Sequence, residues 1–247
     1  MEKTKAFIKA AFPGSAPLYR RLREVRRALH IRYAGMGVIF ADIYRNNLWA
    51  DPESVSGRGS TLARTETIRR ALPALLASVG ARSLLDAPCG DFNWMRYVEL
   101  QGVEYTGADV VPELIARNQQ MHGRRDRSFI VADVTRDSLP RADVVLCRDC
   151  FIHLSFRDIN AALANFKRSG SGFLLATTHV NVTENEDMAT GGWRSVNLQA
   201  APFNFPEPRQ LLVEDAELGK CLGLWNLEEL EVERKSAARG FGRVWSG

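Results

Sequence analysis

Three acidic residues each follow a short aliphatic segment of the sequence. Asp86 comes after "SLL", Asp109 after "YTGA" and Asp133 after "FIVA". A carboxylate at the end of a strand, roughly 20 residues beyond a glycine turn, can accept hydrogen bonds from ribose hydroxyl groups. Asp109 has that separation from the turn after Asp86, and Asp133 follows where an adenine amino group could be bound. The spacing predicts a site for a nucleoside-like ligand.

The turn after Asp86 limits the kind of ligand. Gly90 is the only glycine in "LLDAPCGDFNW", residues 84–94, and it allows a ligand to approach the backbone closely. A dinucleotide loop needs further glycines, because its pyrophosphate rests against the start of the next helix. Asp91 adds a negative charge that repels phosphate. The loop therefore favours a cofactor without phosphate groups over NAD or ATP.

Strands and helices alternate from residue 83 onward, which predicts a mostly parallel sheet covered on both faces. The predicted strands are 83–87, 104–109, 128–133, 143–147 and 173–178, and the predicted helices are 93–100, 112–122 and 155–168. Ser155 is the predicted N-cap of the last helix. An earlier helical pattern runs from Leu62 to Val79, and we expect Pro73 to kink or split it.

Composition indicates one α/β domain with appendages, since 247 residues with 45% hydrophobic content suffice for one substantial core. The four cysteines are too few for a disulfide scaffold and lack the partners of a zinc site, so buried, reduced thiols are expected and no metal. No apolar run approaches the ~20 residues that span a bilayer. We therefore expect no membrane span, no secretory signal and a cytoplasmic location.

Positive charge is concentrated near the N-terminus. The formal net charge is +4, and five arginines fall between residues 20 and 27. Such a segment can contact the inner membrane surface, an anionic glycan or RNA, although a solvated helix face explains it more simply. Its role stays open, as does the oligomeric state.

The order of these features resembles the class I S-adenosylmethionine-dependent methyltransferases over about residues 60–180. The family's D-x-G-x-G-x-G motif aligns with Asp86, Pro88, Gly90 and Phe92, so that only the central glycine is retained. The resemblance implies a Rossmann-like, mostly parallel seven-stranded sheet with helices on both faces. Its strand order would be 3-2-1-4-5, followed by an antiparallel pair in "RQLLVED" and "CLGLWNLEEL".

The resemblance also implies a domain organisation. An N-terminal helical extension would occupy residues 1–50, and the methyltransferase domain would occupy residues 51–235. Within that domain, the aromatic- and amide-rich segment 180–210 would cover the substrate. Residues 236–247 would form a mobile tail.

S-adenosylmethionine is the cofactor that the resemblance implies. Gly90 would approach its amino-acid part, Asp109 would hold its ribose, and Asp133 with Val134 would border its adenine. Arg64 could pair with its carboxylate, although Arg58 is equally available. The full set assigned to the cofactor is Asp86, Ala87, Gly90, Asp109, Val110, Asp133, Val134, Arg148 and Arg64.

The residues assigned to chemistry follow the later strands. In "LCRDCFIHLSF" the resemblance puts Asp149 near the reacting groups, and His153 is one candidate general base. His179, at the end of "FLLATTH", is the other. Trp193, Asn197 and Asn204 are the residues assigned to the substrate.

These features predict methyl transfer from S-adenosylmethionine to an oxygen or nitrogen of a small molecule or glycan. An RNA or nucleotide methyltransferase is an alternative that the basic segment suggests, but an N/D-P-P-Y motif and an RNA-binding module are missing. Another alternative is a catalytically inactive binding protein on the same scaffold, which the missing glycines would permit.

Overall fold

The computed structural model describes residues 35–231. The four α-helices of this part are α1 (Met36–Arg45), α2 (Glu66–Ser78), α3 (Pro112–His122) and α4 (Phe156–Arg168). The strands are β1 (Ser83–Asp86), β2 (Glu104–Asp109), β3 (Arg127–Val131), β4 (Val144–Cys147), β5 (Phe173–His179), β6 (Gln210–Asp215) and β7 (Lys220–Asn226). Single 3₁₀ turns occur at Arg58–Ser60, Met95–Tyr97 and Phe151–His153.

The seven strands form one sheet in the order β3-β2-β1-β4-β5-β7-β6. The first five are parallel, whereas β7 is antiparallel to both β5 and β6. The predicted mostly parallel sheet and its final antiparallel pair are therefore confirmed. Strand order reverses between β1 and β4, and ligands of such sheets bind beyond the carboxyl ends of the strands at that switch point.

Burial explains why the central strands are aliphatic runs. All four residues of β4, "VVLC", are buried, and so are Leu84 and Leu85 of β1. A strand covered on both faces alternates little in polarity. Helix α4 shows the complementary pattern, because Ile159, Leu163 and Phe166 form one buried face and Ser155 Oγ accepts the backbone N–H of Asp158 as the predicted cap.

One sequence-based expectation is wrong. The predicted helix 93–100 is only the 3₁₀ turn Met95–Tyr97. Asn93 instead donates its side-chain amide to Glu53 Oε1 and to the carbonyl of Ser60, so contacts with an earlier loop compete with helix formation. Pro73 lies inside α2, which is not split, and a kink there stays a prediction.

The connection between β3 and β4 contains no helix, in agreement with the predicted elements. Asn165 of α4 holds it, since the side-chain amide donates to the carbonyls of Val134 and Asp137, both at 2.8 Å. Buried polar groups of the link are thus satisfied from the neighbouring helix.

Helix α1 belongs to the predicted N-terminal extension and packs on the domain. Ala41 lies in one apolar cluster with Val111 and Leu114, and Arg45 Nε donates to Glu113 Oε1 at 2.9 Å. The arginines between residues 20 and 27 and the predicted tail 236–247 lie outside the described residues.

Two further findings concern the described chain. None of the helices within residues 35–231 is long and apolar enough to cross a membrane. The four thiols are free and buried, as predicted.

Candidate active site

A cavity of about 510 Å³ lies beyond the carboxyl ends of β1, β2, β4 and β5. Its volume is within the ~300–1,000 Å³ of small-molecule pockets. Helix α1 and the loop 55–60 form one wall, and the ends of β5, β6 and β7 form another. The cavity therefore occupies the switch point at which this type of sheet binds ligands.

Gly90 forms a tight turn at the cavity wall with a φ of +54°. A Cβ atom built on it would lie 2.3 Å from Ser56 Oγ, so the turn is packed against the N-terminal loop. Its N–H donates to Asp109 Oδ2 at 3.2 Å, and its carbonyl accepts from Asn118 Nδ2 at 2.7 Å. Both the backbone conformation and the close packing explain the glycine.

Phe92 shows how the loop functions without the family's last glycine. Its φ is +58°, a conformation that costs a side-chain-bearing residue free energy. The ring is buried against Tyr105 and Phe129, with centroid separations of 5.2 and 5.1 Å. Aromatic packing offsets the backbone strain, so the turn persists with one glycine.

We predict that Gly90→Ala costs about 1 kcal/mol more stability than Gly80→Ala. Gly80 is a matched control, because its φ is +65° and a Cβ there would meet nothing within 4 Å. Only the Gly90 variant adds the clash with Ser56. Urea unfolding of both variants measures the difference. Equal losses of stability would show that Ser56 moves away from the added Cβ at no cost in free energy.

Asp86 and Asp109 are buried acids that both line the cavity. Tyr105 Oη donates to Asp86 Oδ2 at 2.7 Å, and the N–H of Val111 donates to Asp109 Oδ1 at 3.1 Å. Burial raises the pKa of Asp86 to about 7 and that of Asp109 to about 6. Both carboxyls thus favour a ligand that supplies hydrogen-bond donors or positive charge.

Asp86→Asn is expected to raise the melting temperature by several degrees more at about pH 8 than at about pH 5. Because the folded-state pKa lies above the ordinary value, the folded protein binds this proton more tightly than the unfolded chain between about pH 4 and 7. The contribution of Asp86 to stability therefore falls as the pH rises through that window. Asparagine avoids the buried charge and still accepts from Tyr105. Equal shifts at both pH values would contradict the raised pKa.

Asp133 does not line the cavity, although Ala132 and Val134 on either side of it do. Its Oδ1 accepts from the backbone N–H and hydroxyl of Thr135, and its Oδ2 lies 3.1 Å from Arg136 Nε. This carboxylate closes its own turn, and its contact with an adenine stays a prediction. The apolar side chains next to it form the wall instead.

Four charged residues that line the cavity form an ion cluster: Arg148, Asp149, Glu214 and Lys220. Arg148 donates to both carboxylate oxygens of Glu214 at 3.0 and 2.9 Å. Lys220 Nζ lies 2.7 Å from Asp149 Oδ2 and 3.0 Å from Glu214 Oε2. Burial acts to raise the pKa of Asp149, but the Arg148 and Lys220 cations outweigh it and lower that pKa to about 2. The cluster is thus internally paired.

The ion cluster also anchors the cavity wall. Arg148 Nη2 donates to the carbonyl of Gly59 at 2.8 Å, and its guanidinium lies over the Trp94 ring at 5.4 Å. A Cβ on Gly59 would lie 2.8 Å from Asp149 Oδ2. The predicted cofactor residue Arg148 therefore connects strand β4 to the N-terminal loop, and it still lines the cavity.

His153 and His179 both line the cavity. His153 Nδ1 lies 2.7 Å from the Gly192 carbonyl oxygen, and its ring stacks on Trp49 with centroids 5.0 Å apart. His179 Nδ1 accepts from the backbone N–H of Val196 at 3.4 Å. Burial lowers the pKa of both imidazoles, which favours their neutral forms.

The remaining assigned residues divide between the cavity and the scaffold. Val110, Arg64 and Trp193 line the cavity, although Arg64 is engaged with Asp215 at 2.9 Å. The N–H of Ala87 donates to the Leu146 carbonyl at 2.8 Å, which joins β1 to β4.

Asn197 and Asn204 lie outside the cavity lining, and their assignment to the substrate stays a prediction. Asn197 Nδ2 donates to the Val182 carbonyl at 2.7 Å, and Asn204 Nδ2 donates to the Pro202 carbonyl at 3.3 Å. Both amides satisfy backbone groups within the segment 180–210, because an irregular loop has few backbone partners of its own.

Sequence reasoning missed Trp49, Ser56, Glu214 and Lys220. Each reaches the cavity from a segment that lacks a recognisable motif. The acids at the ends of strands carried a signal. Glu214 lies on the edge strand β6 and Lys220 begins β7, and in the sequence each resembles any charged surface residue.

Comparison with known proteins finds one matching domain. Residues 85–169 match the family described as a methyltransferase domain. That region begins in β1 and ends just after α4, so it contains the glycine turn, Asp109 and His153. No curated protein matches the chain.

Solved structures share the fold at low identity. The N-methyltransferase NodS from Bradyrhizobium japonicum WM9, crystallised with S-adenosyl-l-homocysteine, is 15% identical with a TM-score of 0.54, covering 74% of this chain and 97% of that chain. The Burkholderia thailandensis 1,6-didemethyltoxoflavin-N1-methyltransferase, crystallised with 1,6-didemethyltoxoflavin and S-adenosylhomocysteine, is 18% identical with a TM-score of 0.50, covering 77% and 86%.

The PH0226 protein from Pyrococcus horikoshii OT3 is 24% identical with a TM-score of 0.40, covering 48% of this chain and 58% of that chain. The chain thus spans less than two thirds of that protein's length. The matched methyltransferase domain covers residues 85–169, and the seven-stranded sheet has the strand order of the class I methyltransferase fold.

Proposed function

We propose that this methyltransferase uses S-adenosylmethionine to methylate an oxygen or nitrogen atom of a small molecule or glycan. The observation that carries the proposal is one cavity lined by two kinds of polar group. Asp86 and Asp109 are one kind, and the ion cluster with His153 and His179 is the other. The first kind suits a cofactor and the histidines suit an acceptor.

The part of the cavity lined by Asp86 and Asp109 fits a ligand with a cationic amino acid, a ribose and a flat apolar base. Asp109 is held by two backbone N–H groups and can accept from ribose hydroxyls. Asp86 suits the amino group or the sulfonium, since positive charge would favour its ionised form. Apolar side chains suit the base, namely Met36, Phe40, Val110, Leu114, Ala132 and Val134.

Arg58 is the better candidate for the cofactor's carboxylate. Arg64 is already paired with Asp215. Arg58 lines the cavity and its side chain has no ion pair within the described residues. A free guanidinium can bind a carboxylate in bidentate fashion.

S-adenosylmethionine supplies a methyl group bonded to positively charged sulfur. The protein's own contribution is alignment of the acceptor with that methyl group in a site shielded from water. Trp49 and Trp193 offer aromatic faces to a ring-shaped acceptor. The internally paired ion cluster supplies a polar wall that does not require a charged acceptor.

The two alternatives receive less support. The basic segment that suggested an RNA substrate lies outside the described residues. The missing glycines that suggested an inactive protein have a physical explanation, because Phe92 maintains the turn through aromatic packing.

Calorimetry with S-adenosylmethionine and S-adenosylhomocysteine tests the proposal, followed by transfer of a labelled methyl group to sugars, lipopolysaccharide fragments and RNA. We expect micromolar or tighter cofactor binding and label in a small molecule or glycan. No heat with either cofactor would favour the inactive alternative. Label confined to RNA, with binding that weakens steeply with salt, would favour the RNA alternative.

A further inference from the structure

The two cavity histidines present opposite hydrogen-bonding polarity. His153 Nδ1 lies 2.7 Å from the Gly192 carbonyl oxygen. A carbonyl oxygen can only accept, so Nδ1 of the neutral ring carries the proton. Nε2 of His153 therefore holds a lone pair.

His179 has the reverse arrangement. The backbone N–H of Val196 donates to its Nδ1 at 3.4 Å. An amide N–H can only donate, so Nδ1 holds the lone pair and Nε2 carries the proton. Within residues 35–231, neither Nε2 atom has a hydrogen-bond partner, which leaves both available to a ligand.

The scaffold fixes both rings. Trp49 stacks on His153 with an interplanar angle of 28°, and the N–H of Gly191 donates to the His153 carbonyl at 2.8 Å. His179 ends β5, and its own N–H donates to the Val196 carbonyl at 2.8 Å. Rings held in this way keep the acceptor of His153 and the donor of His179 in fixed positions before a ligand binds.

Burial lowers the pKa of each ring and so favours the neutral forms that this polarity requires. The charged groups that act on them are Asp149, Arg194 and Lys220 for His153, and Lys220, Asp149 and Glu214 for His179. The cations and acids oppose each other at both rings, and burial is the largest influence on each pKa.

We propose that the methyl acceptor is a hydroxyl group that His153 Nε2 deprotonates, while His179 Nε2–H donates to a second oxygen of the same substrate. The substrate class is a polyhydroxylated small molecule, such as a sugar. This inference rests on the proposed function and specifies its acceptor.

The step balances in atoms and electrons. The acceptor O–H bond breaks and its proton moves to His153 Nε2, which becomes an imidazolium. The freed electron pair on oxygen forms the bond to the methyl carbon. The carbon–sulfur bond breaks and its electrons remain on sulfur, so that a neutral thioether leaves. A neutral amine acceptor would not need a base before transfer.

The histidine protons can be observed directly. In the ¹⁵N-labelled protein, NMR correlation of ring nitrogens with ring carbon-bound protons distinguishes the two neutral forms. We expect the Nδ1–H form for His153 and the Nε2–H form for His179, assigned with His153→Gln and His179→Gln. The opposite form at either ring, or an imidazolium at about pH 7.5, would overturn the proposal.

Glucosamine tests the acceptor, because one ring offers hydroxyls and an amine. With labelled S-adenosylmethionine we expect an O-methyl product by mass spectrometry, and transfer to nitrogen would overturn the proposal. His153→Gln should lower turnover about 100-fold or more with unchanged cofactor affinity. His179→Ala should mainly raise the KM for the acceptor, about 2- to 10-fold.

His122→Gln is the matched control, since this histidine packs on Phe92 and does not line the cavity. It should leave turnover and cofactor affinity unchanged. If calorimetry finds no cofactor binding at all, the proposed function fails, whatever the ring protons show. If the cofactor binds but nitrogen is methylated, only the further inference fails.

Discussion

Glu214→Ala is expected to lower the free energy of unfolding by about 3–5 kcal/mol. Arg148 and Glu214 are buried, with side chains 4% and 2% exposed, and they form a bidentate pair. Removing the glutamate leaves two buried cations, Arg148 and Lys220, with Asp149 as their remaining acidic partner in the ion cluster. Desolvated charge without a partner is costly, because the interior replaces little of the lost hydration.

Urea unfolding of the variant measures this loss. Glu229→Ala is a matched control, because Arg209 and Glu229 form an ion pair in which both side chains are 54% exposed. Exposed pairs contribute about 0–1 kcal/mol, so the control should change stability little. A Glu214 variant as stable as the control would show that water or rearranged side chains compensate the buried charges.

Asp109→Ala is expected to weaken S-adenosylmethionine binding by about 1–3 kcal/mol, roughly 5- to 150-fold in Kd. The carboxylate is buried at the cavity and held by backbone N–H groups of Gly90 and Val111, so it is oriented before a ligand arrives. Ribose hydroxyls would donate to this charged acceptor. Titration calorimetry on a variant with unchanged circular dichroism measures the effect.

Asp143→Ala separates loss of a cofactor contact from general disturbance. Like Asp109, Asp143 accepts two backbone N–H groups, those of Arg82 and Ser83, at 2.8 and 2.9 Å. It lies at the opposite end of the sheet, before β4, and does not line the cavity. The control should lose stability while its Kd stays unchanged. An Asp109 variant with unchanged affinity would remove this residue from the cofactor site.

Local pattern and chain order carry most of the fold. The predicted bounds of α3 and β2 agree with the structure, because a helical or buried-strand period is set by residues within each segment. The helix predicted at 93–100 is wrong because its polar residues bind a loop that lies about 40 residues earlier. Helix propensity depends on residues close in the sequence, so it contains no information about a partner that only folding brings near.

The order of residues is enough to predict the sheet, the tight turn at Gly90 and the acids Asp86 and Asp109 beside it, since the carboxyl ends of parallel strands meet at one edge. Which side chains face the cavity depends on the folded structure. Asp133 and Asn197 turn to backbone partners, whereas Glu214 and Lys220 arrive from β6 and β7 to pair with Arg148 and Asp149. The direction of a side chain depends on packing between segments distant in the chain, and no local spacing encodes it.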